Sequence, residues 1–324
     1  MSRNVRVAGS LHEEGENIGL HRFALFTACS TAFLIFVGGL VTSNQAGLSV
    51  PDWPTSYGWN MFTFPYSKWV GGIFYEHGHR LVASFVGFLT VVLASWTWLK
   101  ETRRWMRILS LAALFAVITQ GILGGLTVKY LLPTPISMTH ALLAQTFFCM
   151  TIALAAFTSP RWKRGLPRVS DRHHGLKLTT LCALTTGAIY LQLLLGAWMR
   201  HTQSGLAIPD FPLAFGRVIP PFMNYHVAIH FTHRIGAVLV TIAILWTFLR
   251  LWRTQRDNSM LLRPAAVMIG LLLIQLTLGA FTIWTEKAPL IATTHVAVGA
   301  LILGTSFLLT LRAFSMVIRE TAWQ

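Results

Sequence analysis

Eight stretches of this chain are long and apolar enough to cross the hydrocarbon of a bilayer, for which roughly 20 residues suffice. They fall at about 22–43, 74–99, 106–128, 136–158, 176–199, 226–250, 264–284 and 289–312. A segment in lipid must satisfy each backbone N–H and C=O internally, so stretches of this kind fold as helices. Only 11% of the residues are charged, against about 25% in an ordinary soluble domain, too few to cover a chain of this length in water. The expected fold is an all-α polytopic membrane protein of eight transmembrane helices.

The formal charge of +15 raises nucleic acid as a partner, and the location of the basic residues argues against it. They cluster between apolar runs: Lys100, Arg103, Arg104 and Arg107; then Arg161, Lys163, Arg164, Arg168 and Arg172; then Arg250, Arg253, Arg256 and Arg263. No cluster is interleaved with aromatics as a nucleic-acid groove would be. With the amino terminus inside, alternate loops place only Lys68, Arg80, Lys129, Arg200, Arg217, Arg234 and Lys287 of the 26 Lys and Arg on the outer side. The positive-inside rule then puts both termini in the cytoplasm. Cys29, Cys149 and Cys182 lie inside apolar runs and read as small hydrophobes, not as a disulfide or metal framework.

Self-comparison reveals a tandem repeat. Gly38-Gly39-Leu40 and Ala46 to Pro54 recur as Gly196-Ala197-Trp198 and Ser204 to Pro212; Gln120 to Val128 recurs as Gln275 to Ile283. His79-Arg80 recurs at His233-Arg234, and Thr139-His140 at Thr294-His295, all at offsets of 154 to 158. Each half has four spans, so the halves share one orientation, as two four-helix bundles related by a pseudo-two-fold axis along the membrane normal. The expected organisation is a cytoplasmic tail 1–21, an amino-terminal half 22–158, a basic cytoplasmic linker 159–175, a carboxy-terminal half 176–312 and a second cytoplasmic tail 313–324. The outer loops, about 44–73 and 200–225, are rich in Pro, Gly and aromatics and poor in charge, and are expected to lie back on the membrane as lids.

Of 12 histidines, only His79, His140, His233 and His295 both lie in spans and recur. All four fall near the outer ends of their spans. A lone intramembrane histidine is most often a hydrogen-bonded packing residue, but four in register could clamp one planar cofactor per half. Structural zinc favours four clustered Cys or His ligands, whereas two axial imidazoles among apolar side chains suit a haem. Arg80 and Arg234 follow directly and are candidates to pair with haem propionates or to snorkel at the interface. Glu76, three residues before His79, projects to nearly the same helix face, and His230 takes its place in the second half. A carboxylate at membrane depth is expensive without a role, so the amino-terminal site looks equipped to change its haem and the other only to use one, unless Glu76 merely hydrogen-bonds. Asp52 and Asp210, in matched Pro-Asp-aromatic-Pro turns, read as turn formers. His173, His174, His201 and His226 read as surface or interfacial residues, and Gln120, Thr127, Gln275 and Thr282 as bonds between helices.

The Glu76-x-x-His79-Arg80 motif, His140, His233, His295 and the repeated Gly-Leu-x-x-Pro-Asp loops resemble the haem A synthase family of bacteria and mitochondria, over about 22 to 312. The resemblance implies oxidation of a methyl group of haem O to a formyl group, giving haem A for terminal oxidases. It further implies that His79 and His140 ligate haem O, that Glu76 acts in the oxidation, and that His233 and His295 hold haem b as a cofactor. Expected partners are haem O, with haem O synthase as a source, an electron donor, the assembling terminal oxidase, membrane lipid and a second copy of the chain. The expected location is the bacterial inner membrane, with the haem sites near the outer face. Many bacterial members carry a cysteine pair in an outer loop, and this sequence has none there, so a thiol step proposed for them has no place here. Alternatives are a di-haem b-type electron carrier and a haem transporter or chaperone.

Overall fold

A computed structural model describes residues 17–171 and 175–318 of the chain. The expected tails therefore lie mostly outside the described residues, as do His173 and His174. Eight long helices form: α1 (Ile18–Ser43), α2 (Gly72–Lys100), α3 (Arg104–Lys129), α4 (Thr134–Thr158), and, after the four-residue α5 (Pro160–Lys163), α6 (Leu178–His201), α7 (Tyr225–Thr254), α8 (Ser259–Trp284) and α9 (Pro289–Met316). Each of the eight is long and apolar enough to span a bilayer, and the chain is a multi-pass membrane protein.

Most helices extend beyond the apolar windows, and at three starts an asparagine side chain caps the helix outside the apolar run. The Asn17 side chain accepts from Leu20 N to start α1, the Asn258 side chain accepts from Met260 N to start α8, and α9 runs on to Met316. Large apolar residues such as Phe33, Phe88, Phe115, Leu239 and Leu273 are more than half exposed, which in water would be costly and in lipid is the favourable outcome.

The helices sort into two rings. In the first, α1 touches α2 and α4, and α3 packs between α2 and α4; in the second, α6 touches α7 and α9, and α8 packs between α7 and α9. Each ring has its own buried core, built around Leu20, Val86, Leu93, Met106 and Leu154 in one and Leu178, Ile244, Leu251, Met268 and Leu303 in the other. The rings meet through α1 with α9, α4 with α6, and α4 with α9. Exchange of equivalent helices maps the first two contacts onto each other and the third onto itself, which puts α4 and α9 on the pseudo-two-fold axis.

The linker is more ordered than a loop. Beside α5 it contains β1 (Val169–Ser170), which pairs in parallel with β2 (Val317–Ile318) beyond α9. Asp171, at its end, accepts from Leu178 N and from the buried Arg250 guanidinium. Nothing in a two-residue strand produces a readable period, and its partner lies far along the chain. At the same face of the first half, Glu101 bonds Arg103 (2.7 Å) and Lys163 (3.4 Å). Burial alone would raise the Glu101 carboxyl, but these cations outweigh it and hold it at about 2.

Candidate functional site

The four recurring histidines lie six to eight residues inside the amino-terminal ends of α2, α4, α7 and α9, hence about 9 to 12 Å along the helix axis at 1.5 Å per residue. Each ring rests on a helical glycine of a neighbour. A Cβ on Gly38 of α1 would stand 3.0 Å from His79 Cε1; one on Gly196 of α6, 3.2 Å from His233 Cε1. The same holds for Gly124 of α3 against His140 (3.5 Å) and Gly279 of α8 against His295 (3.3 Å). A Cβ at Gly38, Gly196 or Gly279 would crowd the ring, whereas at Gly124 the space is that of ordinary contact. Nδ1 is the next ring atom in each contact, and at Gly38 the His79 Nε2 follows at 3.8 Å, so each ring meets its wall by the Cε1 corner. His79 and His140 lie within electrostatic range of each other, as do His233 and His295.

This arrangement fits a haem held between two imidazoles in each half. Nδ1 of His79, His140 and His295 is buried with no hydrogen-bond partner, where buried polar groups are normally paired. Each of these three rings therefore keeps a nitrogen that no protein group takes, and at His295 the other nitrogen, Nε2, already meets the Gln275 amide. Among the described residues no group of three or more His, Cys, Asp or Glu is placed to hold a metal ion.

Above the histidines, each outer loop is fastened by the arginine that follows the ligand. Arg80 is buried; its Nη1 donates to Asp52 O (2.7 Å) and Thr55 O (2.9 Å), and its Nη2 to Val50 O (2.9 Å) and Glu76 Oε1 (2.8 Å). Arg234 repeats the pattern with Leu213 O (2.7 Å), Asp210 O (2.7 Å) and Ile208 O (3.3 Å), and its Nε points at His230 Nε2 (3.3 Å). The propionate role expected of these arginines has to compete with the loop carbonyls that already take most of their N–H groups. Glu76 and His230 are equivalent within the fastening: Val50 N donates to Glu76 Oε2 (2.8 Å) and Ile208 N to His230 Nδ1 (3.2 Å). Both side chains are buried. What differs is charge, since Glu76 forms an ion pair with Arg80 where His230 is an imidazole.

Asp52 and Asp210 form turns. Asp52 accepts from Thr55 Oγ1, Tyr57 N and Gly58 N, and Asp210 from Phe215 N and Gly216 N. Burial would raise the Asp52 carboxyl, but the N–H of Gly58, the Thr55 hydroxyl and the N–H of Tyr57 hold it below 3.8; the N–H groups of Gly216 and Phe215 lower Asp210 likewise. Both turns contain a cis X–Pro peptide, Trp53–Pro54 and Phe211–Pro212.

Several expectations are corrected in detail. Thr127 and Thr282 donate to Gly124 O and Leu278 O of their own helices, because a hydroxyl at membrane depth finds a carbonyl one turn back more easily than one on a neighbour. Gln275 does bridge, with Nε2 3.3 Å from His295 Nε2. His226 meets Ser204 Oγ at 2.8 Å, and His201 is half-buried where the halves join. His77, unremarked in the sequence, is fully buried against Ser56 Oγ (3.0 Å), Phe64 and Trp69. The glycine cradles were present in the repeat as Gly38, Gly124, Gly196 and Gly279, but repetition alone did not say what they touch.

Comparison with known proteins agrees with this site. The family model for cytochrome oxidase assembly protein matches residues 21–307. A protein of Symbiobacterium thermophilum named Heme A synthase is 33% identical over 75% of this chain and 78% of its own length. Proteins of the same name from Halalkalibacterium halodurans and Shouchella clausii are each 27% identical, over 87% and 84% of this chain and 93% and 89% of theirs.

Proposed function

Because the chain belongs to the cytochrome oxidase assembly protein family, we propose that it is a membrane oxidoreductase with haem A synthase activity, converting a methyl substituent of haem O to a formyl group. The amino-terminal half takes haem O between His79 and His140, and the carboxy-terminal half holds haem b between His233 and His295. The observation that carries the division is the single change of chemical kind within matched fastenings, Glu76 against His230.

The protein's part is positioning, charge and water control. Gly38 and Gly124 fix the His79 and His140 rings, and through them the plane and height of the substrate. Arg80 closes the loop 44–71 over that half by holding three of its carbonyls. Glu76, three residues before a ligand, keeps a negative charge beside the reacting edge, where positive charge develops as the methyl loses electrons and a proton. It also accepts that proton, and Arg80 turns to the loop carbonyls while it does so. Two rounds, each passing two electrons to an external acceptor, releasing two protons and adding one water, would give a gem-diol, which loses water to the aldehyde. Haem b supplies an electron relay when bound. The charge asymmetry of the loops supports a bacterial inner-membrane location with both termini cytoplasmic and both sites toward the outer face. Product passes to terminal oxidase assembly.

One observation favours a second reading, a di-haem electron carrier. His230 does for its loop what Glu76 does for its own, so Glu76 could be a fastening only. Co-expression of the chain with a haem O source, followed by chromatography of extracted haems, separates the two. Haem A or its hydroxylated precursor is expected from the intact chain, and should be lost with Glu76→His, which keeps the His230-type fastening, and with His79→Ala. Haem A from Glu76→His would remove Glu76 from the chemistry; only haems B and O from the intact chain, given a competent redox partner and oxygen, would overturn the synthase reading.

A further inference from the structure

Helix α6 carries Gln192, Gly196 and Arg200 at four-residue spacing, so the three share one face. Gly196 backs the His233 ring, and Gln192 Nε2 donates to His233 O at 2.8 Å. Arg200 stands one turn, about 6 Å, outward of that glycine, and lies within electrostatic range of His295, the other member of the pair. Its guanidinium is held through one nitrogen. Nη2 donates to Gly39 O (3.0 Å) and Ser43 Oγ (2.7 Å) on α1, and Thr293 Oγ1, two residues before His295, donates to the same Ser43 Oγ (2.8 Å). Among the described residues no carboxylate lies within ion-pairing distance of Arg200, and its Nε and Nη1 make no hydrogen bond.

A half-buried guanidinium with free donors and no counter-charge, at the outer rim of an apolar bundle, is costly unless an anion arrives. Nε and Nη1 are the nitrogens left for an anion, because the α1 acceptors take Nη2. The equivalent face of α1 reads Leu34, Gly38 and Thr42, and Thr42 Oγ1 only donates to Gly38 O (3.3 Å).

We propose that Arg200 binds a propionate carboxylate of the haem held by His233 and His295, and that Thr42 at the matching place leaves the amino-terminal haem without such an anchor, so that the resident haem is retained while the substrate haem exchanges. The proposal rests on the haem reading of the His233–His295 pair given above. It divides the work of the halves by a second residue, independent of Glu76.

The test uses the full chain, loaded with haem in lipid nanodiscs, with excess apomyoglobin to capture haem that dissociates. Free-acid haem is compared with its dimethyl ester, whose carboxylates are capped. Arg200→Gln is expected to release the carboxy-terminal haem roughly 10- to 100-fold faster, the effect of one charge-assisted hydrogen-bonded pair, and to lose the preference of the native chain for the free acid. Its absorption spectrum at saturating haem should still be that of a two-imidazole haem, and Arg200→Lys should keep part of the retention. Thr42→Arg should slow release from the amino-terminal half. Unchanged release and an unchanged acid-over-ester preference in Arg200→Gln would overturn the proposal. So would a release rate in the native chain that responds to anionic lipid in the disc but not to esterification, since Arg200 would then be meeting a lipid phosphate. Should Arg200→Gln not fold, equal retention of acid and ester by the native chain overturns it alone. Failure of the haem reading itself looks different: the native chain and His295→Ala would then hold the same amount of haem.

Discussion

Two helix faces at equivalent places show how far the halves have diverged. On α1 the residues around the His79 ring are Leu34, Gly38 and Thr42; on α6, around the His233 ring, they are Gln192, Gly196 and Arg200. The glycine is common because a ring edge against a helix backbone tolerates no side chain. One turn to either side, the first half is apolar or makes only a local bond, while the second offers an amide and an unpaired cation. Around Glu76 the imbalance is reversed, and the first half has the charged group. A site that must release its ligand after altering it gains from weak anchorage and a reactive carboxylate; a site that must keep its ligand gains from the opposite pair.

That comparison breaks most readily at the ligands. His233→Ala or His295→Ala is expected to remove the resident haem and reduce haem A to background, whereas His79→Ala leaves one haem per chain; pigment stoichiometry after purification decides, and equal losses from both halves would erase the distinction. Next in size are the cradles. Gly38→Ala and Gly196→Ala place a methyl 3.0 and 3.2 Å from a ring carbon, and overpacking of this kind costs about 1–3 kcal/mol. Each should weaken haem binding roughly tenfold or more, in its own half only, as read by titration with haem.

A smaller contrast lies beneath the loops. A Cβ on Gly125 would come within 2.5 Å of the Trp53 indole, while the equivalent residue in the second half is already Ala280, where Phe211 replaces Trp53. Gly125→Ala is expected to loosen the first loop, raising its protease sensitivity and lowering thermal stability by about 1–3 kcal/mol; Ala280→Gly should do little to the second. The smallest effect is expected at the opposite end of the helices from the histidines, where Glu101 of the first half corresponds to Gln255 of the second. The folded Glu101 carboxyl sits at about 2, below its ordinary 4.5. Its contribution is therefore complete above about 4.5 and lost as pH falls toward 2. Thermal melts of the detergent-solubilised chain should show an acid-dependent decline over that window that Glu101→Gln flattens, and an identical slope in the variant would exclude Glu101 as its source.

Much of this was legible in the sequence where the signal was periodic or repeated. Apolar windows locate all eight helices, and the repeat alone places His79, His140, His233 and His295 at one depth. Helix ends were missed by several residues, since Asn17 and Asn258 cap through hydrogen bonds that hydropathy does not register. The loop fastenings were missed because Arg80 and Arg234 bind backbone carbonyls 21 to 30 residues away, and a carbonyl has no letter in a sequence. Arg200 was counted only as an outer basic residue. Its signal was a departure from the repeat, Arg where the first half has Thr42, of the same kind that made Glu76 visible against His230.

The pairing of Val169–Ser170 with Val317–Ile318 also sets an order in time. Synthesis delivers β1 after the first bundle and before any of the second, so β1 has no partner until the last helix has been made and inserted. The pairing of β1 with β2 can therefore form only after every long helix is in the chain, and it ties the segment before α6 to the end of α9 last of all.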